Sequence, residues 1–64
     1  MLDEDRLRAI IRSDLQVSGA VVGDTLSVEA LIARYRSQTS LLSGTIASIA
    51  TEEGERLGFV MKRC

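Results

Sequence analysis

Apolar residues recur with a helical period in three stretches of this chain. Leu7, Ile10, Ile11 and Leu15 stand at i, i+3, i+4 and i+8, which places them on one stripe of a helix over about residues 3–14. Asp3, Glu4 and Asp5 fall in its first turn, where negative charge suits the helix dipole. Arg6, Arg8 and Arg12 lie off the stripe and are expected to face water. Val28, Leu31, Ile32 and Tyr35 repeat the pattern at i, i+3, i+4 and i+7. Ser27 ahead of them is a good N-cap, because its hydroxyl accepts from a backbone N–H that the helix leaves unpaired. The second helix is therefore expected over residues 27–35, with the Tyr35 ring in the core.

A third helix is expected over residues 37–51, with Leu42, Ile46, Ile49 and Ala50 as its stripe. This stretch, SQTSLLSGTIASIAT, runs fifteen residues without a charge. A surface helix ordinarily carries Lys and Glu opposite its stripe; here the other side is Ser40, Ser43, Gly44, Ala47 and Ser48. Gly44 costs about 1 kcal/mol relative to Ala inside a helix. Small, neutral side chains permit close approach, and the face is read as a docking surface.

The segments between the helices are short. In residues 16–25, QVSGAVVGDT, two glycines bracket Ala20, Val21 and Val22, which predicts an extended connector or a very short strand. Gly54 is placed to end the third helix in a left-handed cap. Leu57, Phe59 and Met61 then alternate with Gly58, Val60 and Lys62, the pattern of a short strand or extended tail.

The order helix, connector, helix, tight turn, neutral helix, extended segment predicts a mainly α, α+β fold. It has three helices with a short β-wing and is winged helix-turn-helix-like, with residues 36 to 38 or 39 as the turn. The alternative is an all-α helical hairpin or coiled coil. In that case residues 27–51 form one helix and Val28, Tyr35, Leu42 and Ile49 repeat every seven residues, although Gln38 and Thr45 interrupt the seam.

Composition narrows the function. With 64 residues the chain holds one small domain and a thin core, although 45% hydrophobic content is enough to fold. There is one cysteine, Cys64, and no histidine. Disulfides and a structural zinc are thereby excluded, and a partner surface is the expected source of further stability. No histidine, phosphate loop or nucleophile elbow equips the chain for catalysis, so no enzyme, metal, cofactor or small-molecule ligand is expected, and Cys64 is read as an incidental thiol. No apolar run is long enough for a bilayer. An acidic start and a lone thiol point to the cytoplasm.

Several segments resemble GntR-type winged-helix repressors. Residues 7–13, LRAIIRS, look like the opening helix of that family. Residues 23–27, GDTLS, are similar to its glycine-acid-x-Leu-Ser lead-in to the second helix. Leu31, Arg34, Tyr35, Leu42, Ile46 and Ile49 follow its core spacing, and Glu53-Gly54 resembles the close of its recognition helix. The resemblance implies a DNA-binding fold. The chain departs from the family in having Arg36 where glycine is usual, Thr39 and Ser43 where arginine is usual, a much shortened wing, and no effector domain.

Two functions are weighed. Topology favours a small DNA-binding transcriptional regulator acting as a dimer, since a monomer with few cations would bind weakly. Arg34, Arg36, Lys62 and Arg63 are the candidate phosphate contacts, with Arg56 a weaker one. Gln38, Thr39, Ser40 and Ser43 would face bases or phosphates. A net charge of −1 favours instead a protein-interaction module: an inhibitor, adaptor or assembly factor, phage-like in size. It would dock through Ser40, Leu41, Ser43, Gly44, Ala47 and Ser48, because interface cores are depleted of charge.

Overall fold

In a computed structural model, residues 1–63 form three helices and a short two-stranded parallel sheet. Cys64, read above as an incidental thiol, lies outside the described residues. The fold is mainly helical with some strand, the expected α+β class.

Helix α1 spans Glu4–Val17. The Asp3 carboxylate accepts from Arg6 N–H at 2.8 Å and caps its start. Leu7, Ile11 and Leu15 form its buried stripe. Asp24 shapes the following turn, its carboxylate accepting from Val21 N–H at 3.1 Å. Strand β1, Thr25–Ser27, runs directly into helix α2, Val28–Tyr35. Ser27 caps that helix as expected, its hydroxyl accepting from Ala30 N–H at 3.3 Å. Val28 and Tyr35 are buried, and the Tyr35 hydroxyl donates to Asp14 on α1.

Between α2 and the next helix lie one 3-10 turn, Arg36–Gln38, and residues 39–42, extended at Thr39 and Leu42 with a bend at Leu41. Helix α3 then runs Ser43–Arg56. The expected helix over residues 37–51 is thus displaced toward the C-terminus, and the connector occupies seven residues, 36–42, where a turn of three or four was expected. The all-α alternative fails at the same point: no continuous helix crosses residues 36–42, and Leu42, placed in its seam, is 78% exposed. Ile46, Ile49 and Ala50 do face the core, joined by Ala47, Glu53 and Gly54.

Gly54 does not end α3. The helix continues to Arg56 and stops at Gly58, whose φ of 92° is the left-handed conformation that favours glycine. Gly54 is needed for a different reason. Met61, from strand β2, Val60–Lys62, lies against it, with Met61 Cε 2.8 Å and Cγ 3.0 Å from where a β-carbon would stand.

Strand β2 pairs with β1 in parallel, Thr25 opposite Val60, Leu26 opposite Met61 and Ser27 opposite Lys62. A parallel pair requires a long crossover, which α2 and α3 supply. The expected β-wing is therefore not a hairpin beyond the third helix. Among the described residues one strand follows α3, and it closes back onto β1. Leu7, Ile11, Leu15, Tyr35, Ile46, Ile49, Ala50 and Phe59 form the core.

One charged side chain is enclosed between α1 and α3. Glu53 is 0% exposed, and its Oε1 accepts from Arg12 Nε at 3.0 Å and Nη2 at 2.5 Å. Its Oε2 lies 3.6 Å from Arg56 Nε. Arg12 thus spans the α1–α3 interface and is not simply a solvated surface residue. Arg8 behaves alike, with Nη1 2.8 Å from Glu52.

Candidate nucleic-acid interface

The end of α2, the connector and the start of α3 form an exposed corner. Arg36, Gln38, Ser40, Ser43 and Gly44 are all exposed there. The α3 backbone explains why. Burial of Ile46, Ile49 and Ala50 turns Ser43, Gly44 and Ser48 outward, so the first half of the helix presents a neutral face of small residues.

This helix start is also uncapped. Leu42 occupies the N-cap position with extended backbone and offers no side-chain acceptor, and no acidic residue stands in the first turn. The first bond back along the helix is Ile46 N–H to Leu42 C=O at 3.0 Å. Ser43, Gly44 and Thr45 hold the amides a helix leaves without internal partners, at the positive end of its dipole. A β-carbon on Gly44 would meet no atom within 4 Å, so the approach is open.

Not every sequence candidate is available at this corner. Thr39 is half-buried: its hydroxyl donates to Leu2 C=O at 2.9 Å and accepts from Leu41 N–H at 3.0 Å. It shapes the connector instead of facing outward. Arg34 lies 3.6 Å from Asp14 and with its guanidinium 5.7 Å from the Tyr35 ring centre, so its charge is partly answered within the fold. Arg56 is engaged by Glu52 and Glu53. Lys62 and Arg63 are exposed, but Lys62 belongs to the sheet, opposite Ser27, and Arg63 follows it. They follow the C-terminal end of α3, whereas Ser43 opens that helix, whose fourteen residues span about 20 Å. Arg6, Arg36, Lys62 and Arg63 make no ion pair among the described residues.

The residues expected to dock a protein also divide. Ser40, Ser43, Gly44 and Ser48 are exposed, and Ser48 turns its hydroxyl back to Gly44 C=O at 3.0 Å. Ala47 is only 4% exposed and belongs to the core, because it stands one position beyond Ile46 on the buried side. Leu41 is half-buried against the core. Periodicity missed Leu42, which assigned it inward. Leu42 lies in the connector ahead of α3 and not in the helix, and of the adjacent pair it is Leu41 that packs against the core.

Tyr35, behind the corner, is held by α1. Burial, then the hydrogen bond to Asp14, pushes its hydroxyl pKa up to about 12. Elsewhere, a concavity of about 260 Å³ is lined by Leu15, Gln16, Ala20, Val22, Leu57 and Phe59, and no charged side chain faces it. Among the described residues, no three His, Cys, Asp or Glu side chains are grouped to hold a metal. No helix is long and apolar enough to cross a membrane. No protein-family model, curated protein or solved structure matches the chain.

Proposed function

We propose that this chain is a small DNA-binding regulator in which α2 and α3 act as a helix-turn-helix, the first two turns of α3 entering the major groove. The reading rests on the exposed corner: Gln38, Ser40, Ser43 and Gly44 face outward from an uncapped helix start, while the same helix is anchored by Ile46, Ile49 and Ala50. Amides at a helix start suit phosphate oxygens. Gln pairs bidentately with adenine, and Ser serves several bases. Arg36 supplies charge at the corner. Lys62 and Arg63 offer a second contact across the domain. The GntR-like segments support the same reading. With so few unpaired cations, binding requires two copies on paired half-sites.

One observation favours a second reading, docking to a protein. Leu42 is 78% exposed two residues before Gly44, where a β-carbon would meet no atom within 4 Å, and an exposed leucine on an open, uncharged face suits an apolar partner better than a phosphate.

Titration against a DNA duplex at two salt concentrations tests the first reading. Binding should weaken steeply with salt, as counterion release requires. Absence of binding at low salt removes the DNA reading. Gln38→Glu together with Ser43→Glu should abolish binding while leaving the helical circular dichroism unchanged.

A further inference from the structure

The connector between α2 and α3 is held from outside the two helices it joins. Leu2 N–H donates to Gln38 C=O at 3.0 Å, and the Thr39 hydroxyl donates to Leu2 C=O at 2.9 Å. The same hydroxyl accepts from Leu41 N–H at 3.0 Å. Leu2 and Thr39 form a parallel bridge between residues 37 apart in sequence. Leu2 is itself half-buried against the core, so the tether is fixed at its far end.

The tether acts at the residues that matter for reading DNA. Helix α3 opens without a side-chain cap, so its own first turn does not fix the chain that leads into it. Thr39 follows the 3-10 turn with extended backbone. Its hydroxyl is taken up by the tether, and the exposed Gln38 and Ser40 stand on either side of it in the chain. Base contacts need side chains held close to their working geometry. A segment ordered in advance also costs less to bind than one ordered on contact. One hydroxyl, serving as donor and acceptor together, supplies that order here.

We infer that Thr39 and Leu2 are positioning residues for DNA recognition: the Thr39 hydroxyl and the Leu2 backbone hold Gln38 and Ser40 in place for base readout without touching DNA themselves. This inference rests on the DNA reading above. It makes the sequence preference of the corner depend on the segment ahead of α1, while general affinity depends on the cations.

Thr39→Val removes both hydroxyl bonds, and Thr39→Ser keeps the hydroxyl. The full chain is mixed with a pool of duplexes randomised in sequence, the bound fraction is sequenced, and the preferred duplex is titrated beside the starting pool. Wild type and Thr39→Ser should both favour the selected duplex. Thr39→Val should lose about tenfold in affinity for it, on the scale of one mismatched base pair. It should keep its affinity for the pool, which phosphate contacts supply. Loss of folded protein would weaken both alike, and circular dichroism checks the helices. Leu2→Pro, which removes the N–H given to Gln38 and leaves residue 39 intact, should show the same selective loss. The positioning role is overturned, with the DNA reading left standing, if both variants keep the wild-type preference or if wild type binds the pool with no preference at all. If wild type binds no duplex at low salt, both are overturned.

Discussion

Gly54→Ala separates local helix preference from tertiary packing. In the interior of α3 the change should stabilise by about 1 kcal/mol on helix propensity. The structure predicts the opposite sign. A β-carbon there would stand within 3.0 Å of Met61 Cε and Cγ, with Met61 Sδ closer still. Overpacking of this kind costs about 1–3 kcal/mol. Methionine is flexible enough to swing aside, but Met61 is the inward residue of β2 and packs on the core, so swinging aside forfeits that packing. The net expectation is a loss of about 1 kcal/mol, or about 4–8 °C in melting temperature for a domain this small. Urea denaturation followed by circular dichroism, on wild type, Gly54→Ala, Met61→Ala and the double variant, measures it. With Met61 shortened, Gly54→Ala should become neutral or stabilising, giving a coupling of about 1 kcal/mol or more. Gly44→Ala is the internal control. It lies in the same helix with open space around it and should stabilise by up to about 1 kcal/mol. A Gly54→Ala protein as stabilised as the Gly44→Ala protein would refute the packing of β2 on α3.

Removing Arg12 should expose the weakness of an enclosed carboxylate. Arg12→Ala leaves Arg56 as the remaining ion-pair partner of Glu53 and should cost about 1–3 kcal/mol in urea denaturation, below the figure for a fully buried pair because Arg12 is partly solvated. Arg56→Ala, more exposed, should cost less than about 1 kcal/mol. Tyr35 is the sole tyrosine, so near-ultraviolet tyrosinate absorbance reports it alone. Its midpoint should fall at about 12 in the folded protein and near 10 in denaturant. Because the folded value is raised, its contribution to stability is complete below pH 10 and is lost as pH rises toward 12. A folded midpoint near 10 would show that the hydroxyl is not held by Asp14. Tyr35→Phe should cost about 1 kcal/mol through the lost hydrogen bond.

Much of the fold was legible in short-range pattern. The stripe Leu7, Ile11 and Leu15 is periodic and buried, and Ser27 caps α2 through chemistry that needs only its near neighbours. The exposed Ser40, Ser43 and Gly44 were also legible, because fifteen uncharged residues with a one-sided stripe leave a bare face. Tertiary structure decided what depends on residues far apart in the chain. Gly54 looks like a helix stop in sequence and is a packing site in space, because Met61 arrives from another element. Thr39 looks available and is tied to Leu2. Arg12 looks like surface and closes over Glu53. The parallel pairing of β1 with β2 has no local signature, since its hydrogen bonds join strands separated by two whole helices. Helix faces and caps are fixed by neighbours within a turn or so, and the sequence states those. Which charges remain free, which glycine is crowded and which strand finds a partner are fixed only when the chain closes on itself.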